Sequence, residues 1–208
     1  CEDREVRCLV QAILEPLKVR VITKEEALPG YMARPLQRIL HDTLRSMPCF
    51  RLIGRPLCPT DLMDLDRRDE GAEWFSIDYS AATDGLSWEY SRRILAKILP
   101  EDRRFPYERV LGPHKLYYPI DLKGGSCFAN RRLGGLQKNG QLMGSILSFP
   151  ILCLANLGLY LAVTRGEFRD RLKRVLINGD DMLYKAKPEV WDRHVRMGLD
   201  VGLKMSVG

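Results

Sequence analysis

Apolar positions along the chain follow two rhythms, and the changes of rhythm mark the elements. Val6, Leu9, Val10, Ile13, Leu14 and Leu17 recur at three-to-four spacing and predict a helix over residues 1–17. KVRVITK (18–24) then alternates basic with β-branched residues, the period of a strand with one charged face. Leu28-Pro29-Gly30 reads as a turn, and residues 33–46 as a basic amphipathic helix. Residues 54–71 are polar and irregular. EWFSID (73–78) is a short strand ending on an aspartate. Residues 85–99 carry the stripe Leu86, Tyr90, Ile94, Leu95 and Ile98 of a helix that Pro100 stops. KLYYPI (115–120) is a strand and 124–140, rich in Gly and basic residues, a loop. Residues 141–163 form an apolar helix. RVLI and DMLYK flank an Asn178-Gly179 turn as a hairpin, and PEVWDRHVRMG (188–198) is a helix. The tail GLKMSVG opens a strand or loop. Strands and helices mix without a regular βαβ rhythm, so the fold class expected is α+β.

Residues 139–164 hold no charged side chain, and length alone would permit a membrane span. Ser145, Ser148, Pro150, Asn156 and the glycines at 144 and 158 favour a buried core helix that touches a site, so no stable membrane insertion is expected. The 208 residues are 45% hydrophobic and 29% charged, ordinary globular values that exclude a disordered chain. Lys and Arg total 33 against 27 Asp and Glu, a net +6 that suits a polyanionic partner. Cys1, Cys8, Cys49, Cys58, Cys127 and Cys153 form no C-x-x-C pair, which fits reduced thiols and a cytosol-like compartment better than a disulfide framework or a zinc site. The charged N-terminus is no secretory signal. A first residue other than Met, and a last one in mid-pattern, suggest an excerpt of a longer chain.

Two acidic groups carry candidate chemistry. Asp78 and Asp84 lie where a strand runs into a helix, and Asp180-Asp181 sit at the hairpin tip. Neighbouring strands would bring the groups together. Clustered carboxylates repel, a divalent cation relieves the repulsion, and oxygen-only ligands favour Mg²⁺ or Mn²⁺. Taken singly, Asp84 reads equally as a helix cap and Asp180 as a turn residue. Arg20 and Lys24, four apart on the strand at 18–24, share a face suited to a triphosphate or simply to solvent, and Lys18 shares that face. Arg34, Arg38, Arg131, Arg132 and Lys138 read as solvated or as backbone contacts for nucleic acid. Trp74, Trp88 and Trp191 are expected in the core. His41, His114 and His194 have no metal-ligand spacing, and the chain has no Walker A, H-E-x-x-H or Rossmann motif.

IDYSAATDGL resembles motif A of viral RNA-directed RNA polymerases, GQLMGSILSFPILCLAN motif B and NGDD motif C. KVRVITK is similar to part of motif F and GLKMSVG to the start of motif D, in the family's order. The SFPILCLAN wording and the gap between the motif A aspartates resemble the ourmia-like viruses (botourmiaviruses) and the narnaviruses. The resemblance implies a right-hand polymerase palm, an antiparallel sheet backed by helices. Residues 1–72 would be a fingers portion with motif F and 73–208 the palm, with the thumb outside this chain. It implies templated RNA synthesis from nucleoside triphosphates, with RNA template and product as partners and two Mg²⁺ (or Mn²⁺) ions as cofactor.

By the same resemblance, Asp78 and Asp180 would be metal ligands, with Asp181 a supporting acid close to the metals. Asp84 would read the ribose hydroxyl, helped by Ser148. Gly144 would keep the motif B loop flexible, and Arg20 and Lys24 would hold the triphosphate. The family's motif B Asn position is Leu152 here, and Asn156, a turn later on the same face, is either a substitute facing the site or a hydrogen-bonded core residue. Lys204 is one candidate for the motif D lysine. The host cytoplasm is the expected location, with the mitochondrion second. The alternatives are a reverse transcriptase on the same palm and a noncatalytic RNA-binding or degenerate viral module. The chain alone, lacking a closed nucleic-acid channel, is expected to be poorly active.

Overall fold

The computed structural model describes residues 5–66, 70–120 and 131–206. In chain order they form β1 (Arg7–Glu15), β2 (Lys18–Glu25), α1 (Ala27–Ser46), a 3-10 turn at Pro48–Phe50, α2 (Pro59–Leu65), β3 (Glu73–Ile77), α3 (Ala82–Gly85), α4 (Trp88–Ile98), α5 (Glu101–Leu111), β4 (Lys115–Pro119), β5 (Arg131–Leu136), α6 (Ser148–Val163), α7 (Phe168–Lys173), β6 (Val175–Asn178), β7 (Asp181–Ala186) and α8 (Glu189–Asp200). One sheet runs β2-β1-β4-β5, and a second, antiparallel throughout, runs β3-β7-β6. The fold is mixed helix and sheet, compatible with a polymerase palm. Among the described residues no helix is long and apolar enough to cross a membrane.

The second sheet and α6 share the main core. Phe75, Ile77, Val175, Ile177, Met182 and Tyr184 pack on Leu152, Cys153, Ala155, Leu159 and Tyr160. Such large apolar side chains contribute about 1.5–3 kcal/mol each when fully buried. A second cluster joins α1, α5 and the start of α6 through Leu36, Leu40, Val110, Leu111, Leu147 and Ile151. Because α6 enters both clusters, it is apolar around its circumference, which accounts for the charge-free run in the sequence.

Several expectations change. The helix expected over 1–17 is strand β1 over its described part, residues 1–4 lying outside the described residues. The spacing imitated a helix, but residues 18–24 offer a hairpin partner, and β1 and β2 pair from Cys8↔Glu25 to Glu15↔Lys18 around Pro16-Leu17. Only Cys8 and Leu9 of β1 are fully buried, while Ile13 and Leu14 project with the hairpin tip. Leu28-Pro29-Gly30 is the first turn of α1, where proline costs no hydrogen bond. The polar stretch 54–71 contains α2, and α5 follows Pro100 unannounced. Part of the expected loop 124–140 is strand β5, and the rest to residue 130 lies outside the described residues. The apolar helix starts at Ser148 rather than 141. Trp74 and Trp191 are partly exposed: Lys185 lies 5.5 Å over the Trp74 ring, and Trp191 rests on Phe75.

The segment before α6 is broken by Gly144, whose φ of 120° lies in the region favouring glycine. There β2 docks: Thr23 N donates to Met143 O at 2.7 Å and Thr23 Oγ1 donates to the same oxygen at 2.9 Å. A Cβ at position 144 would fall on the Thr23 carbonyl oxygen. Gly144→Ala is therefore expected to release β2 from this loop, with backbone strain alone costing about 1–3 kcal/mol. Hydrogen exchange at the Thr23 amide checks this. Protection as strong as in the wild type would contradict the close-approach account.

Candidate active site

The acids meet through strand register. Ile77 at the end of β3 pairs with Met182 of β7, so continuing the ladder by one residue sets Asp78 opposite Asp181. Asp180 lies in the β6–β7 turn, between Asn178 and Asp181, which pair with each other. The central turn residues are Gly179 and Asp180, one position later than the Asn178-Gly179 expected. Gly179 takes φ 70°, as a tight two-residue hairpin requires. The structure thus brings the acids at 78, 180 and 181 to one end of one sheet. Burial first, then the negative charges of Asp180 and Asp78, push the Asp181 carboxyl above its ordinary value. Asp78 is exposed, and its Oδ2 accepts a hydrogen bond from Ser206 Oγ at 2.8 Å. Among the described residues, no three ligating side chains stand close enough to form a ready-made metal cage.

The turn is held from below by α6. Asn156 Nδ2 donates to the carbonyls of Gly179 at 3.1 Å and Asp180 at 3.2 Å. Cys153 Sγ accepts from Gly179 N at 3.4 Å, its thiol pushed up to about 12 by burial and so kept protonated. Asn156 is fully buried with its oxygen also engaged, by Tyr79 OH at 3.0 Å. Of the two readings left open for Asn156, the structure selects the core residue. It positions the turn, with both its amide nitrogen and its oxygen engaged inside the protein.

Sequence reasoning missed the rest of this network. Tyr79 OH lies 2.7 Å from His194 Nε2, and His194 Nδ1 lies 2.7 Å from Tyr184 OH. The neutral imidazole with hydrogen on Nε2 satisfies every member: Tyr184 donates to Nδ1, Nε2 donates to Tyr79, and Tyr79 donates to Asn156. The chain of bonds runs from Tyr184 on β7 through His194 on α8 and Tyr79, the residue after Asp78, to Asn156 and the hairpin turn. The signal was available: His194 shares the packed face of α8 with Val190 and Met197, whereas its sequence reading considered metal spacing alone.

Asp84 lies in the short α3, after Ala81 at φ 52°. Burial pushes its carboxyl up, although the residue keeps a solvent-open side. Its neighbour Thr83 accepts from Gln141 N at 2.6 Å. Gln141 in turn accepts from Ser148 Oγ at 2.9 Å and donates to Ser91 Oγ at 2.9 Å. Ser148 is thus buried one step behind the Asp84 loop, its hydroxyl hydrogen committed to Gln141. Arg20 and Lys24 project from β2. Arg20 Nε donates to Glu15 at 3.1 Å and its Nη1 lies 3.8 Å from Met143 Sδ, while Lys24 is exposed. No described contact joins either cation to the carboxylates. The segment after α8 lines the other side of Asp78: Ser206 N donates to Asp78 O at 2.9 Å and Ser80 N to Lys204 O at 2.9 Å.

Burial lowers the His194 pKa from the ordinary 6.5 to about 4. Between these values the unfolded chain takes up a proton that the folded chain refuses, so stability falls as pH falls. The wild type is expected to lose about 1.4 kcal/mol per pH unit across this window relative to His194→Gln. Urea unfolding of both proteins at stepped pH checks the slope. Parallel pH profiles would show that His194 is not held neutral.

No family model matches the chain. It is 34% identical to the RNA-dependent RNA polymerase of Ourmia melon virus (isolate Melon/Iran/VE9) over a 232-residue alignment. The alignment covers 98% of this chain and 26% of that polymerase, so the chain spans about a quarter of the length of the relative it matches. Along nearly its whole length, then, this chain is similar to one part of a viral RNA-dependent RNA polymerase.

Proposed function

We propose that this chain carries the nucleotidyl-transfer site of a viral replicase that copies RNA from nucleoside triphosphates. The observation that supports this reading above the others is the meeting of Asp78, Asp180 and Asp181 at one sheet end, with the Asp181 carboxyl pushed up by burial first and then by the other two charges. The donor set fits a hard divalent cation: all ligands are carboxylate oxygens, and bound positive charge would relieve their repulsion. Asp78 and Asp180 would hold two Mg²⁺ or Mn²⁺ ions, with Asp181 beside them. When bound, such ions stabilise the attacking and leaving oxygens of an in-line displacement at phosphorus.

The chain's own residues do the positioning. Asn156 and Cys153 fix the backbone of the turn from which Asp180 projects. Asp84, partly desolvated and six residues after Asp78, would accept a hydrogen bond from the ribose 2′-hydroxyl of the incoming nucleotide. Ser148 acts on this loop through Gln141, from behind. Lys24, together with Arg20 once released from Glu15, neutralises the triphosphate. In this reading 1–72 is a fingers portion and 73–208 the palm, with β4 and β5 returning from the palm sequence to complete the fingers sheet. The free thiols at Cys8, Cys49, Cys58 and Cys153 fit synthesis in the reducing host cytoplasm.

In the full-length polymerase, Asp180→Asn is expected to lower nucleotide incorporation on the order of a thousandfold or more. Primer extension on an RNA template reads this directly, and near-wild-type extension by a well-folded variant would refute the assignment. Asp84→Ala is expected to spare most incorporation while narrowing the preference for ribo- over deoxyribonucleotides. An unchanged ratio of the two substrates' kcat/KM values would remove Asp84 from ribose recognition.

A further inference from the structure

At the opposite end of the hairpin from the acids, a cavity of about 460 Å³ opens between α6, α7, β7 and α8. Its lining carries six cations, Arg165, Arg171, Arg174, Lys185, Lys187 and Arg193, against one acid, Glu189. Arg165, Arg171 and Arg174 come from in and around α7, Lys185 and Lys187 from the end of β7 and Arg193 from α8, and the fold gathers the three groups. Two are fixed by backbone carbonyls near the C-terminal end of α6. Arg171 Nη1 donates to Leu161 O at 2.8 Å and Thr164 O at 3.2 Å, and Arg193 Nη1 donates to Val163 O at 3.0 Å. Carbonyl partners orient a guanidinium without cancelling its charge. Arg171 Nε is buried and meets no hydrogen-bond acceptor among the described residues. Lys185 is shared with Asp66 at 2.7 Å.

Such a group of cations is not needed to balance the carboxylates at 78, 180 and 181. Lys185 lies four residues along β7 from Asp181, roughly 13 Å in an extended strand. That exceeds the screening length of about 8 Å at physiological salt, so the two ends act independently. A merely solvated basic face would not confine six cations to one concavity, hold two of them from behind and leave a guanidinium donor desolvated.

We propose that this pocket is a phosphate-binding site, taking a run of phosphate groups presented by an RNA backbone or by a free polyphosphate. The fixed guanidiniums of Arg171 and Arg193 orient the anion with their remaining donors, and Arg165 and Lys187 at the exposed rim add charge. The inference does not rest on the reaction proposed for the acidic end.

Two variants of this chain test it. Arg165→Gln/Lys187→Gln removes two exposed rim cations, and Lys97→Gln/Arg103→Gln removes two exposed cations from α4 and α5 as a charge-matched control. The probes are inorganic tripolyphosphate, followed by calorimetry, and a labelled short single-stranded RNA, followed by fluorescence anisotropy. The rim variant is expected to bind about tenfold more weakly at physiological salt, with the salt slope for RNA reduced by about 1.4, and the control to bind as the wild type does. A rim-specific loss for RNA identifies a nucleic-acid backbone as the source of the phosphates. The same loss confined to tripolyphosphate identifies a free polyphosphate. The proposal is overturned if the rim variant binds both probes like the wild type, or if the two variants weaken equally.

Discussion

Carboxylates crowded at one sheet end repel each other, and the backbone that carries them must be held against that repulsion. Here it is held by a buried amide and a buried thiol of α6. Asn156 spends both donors on consecutive carbonyls of the β6–β7 turn, and Cys153 receives the amide of the same turn. These bonds form inside the core, where each net contribution is about 1 kcal/mol but a carbonyl left unsatisfied costs about 1–3 kcal/mol. The turn therefore has one economical position relative to α6. Every other distance at the acidic end follows from that position and from the β3–β7 register.

The network behind Asn156 extends the constraint. Tyr79, His194 and Tyr184 are each buried and each hydrogen-bonded, so rotating any one strands a polar group. Tyr79 directly follows Asp78, and Tyr184 lies three residues after Asp181 on the strand that carries it. A bond chain anchored on α8 thus fixes the two strands that present the acids at both of their partners. Neutral imidazole is what the geometry requires, because a charged ring would have to donate to both phenols at once.

Much of this was legible in the sequence where local chemistry decided it. The two apolar runs around Asn178-Gly179 specified the hairpin, and EWFSID the strand that delivers Asp78, because a turn and short apolar runs beside it need no distant partner to be read. The failures have a common cause in long-range pairing. Residues 7–15 carry a helix-like spacing but find their hydrogen bonds in β2 and β4, a choice only tertiary structure reveals. Ser148 stands at a position the motif assigns to substrate and Asn156 a helical turn past another, yet both are buried, their side chains committed within the protein. His194 was passed over because its role comes from two tyrosines 115 and 10 residues away.

The charge-free stretch from 139 to 164 also has a geometric reason beyond burial. Its first part receives β2 through Met143 and Gly144, and its helix receives the acidic hairpin through Cys153 and Asn156. The strand bearing Arg20 and Lys24 and the turn bearing Asp180 are thus both referenced to one continuous segment. A charged side chain on the buried part of that segment would need a partner inside the core, and supplying one would displace either the strand or the turn. Buried polar residues there have their hydrogen bonds filled inside the protein: Asn156 by the turn it positions, Ser148 by Gln141 of the same segment and Ser145 by the Val110 carbonyl of α5. The spacing between the cation-bearing strand and the acid-bearing turn is therefore set by helix packing, and the absence of charge along the segment is the condition for that packing.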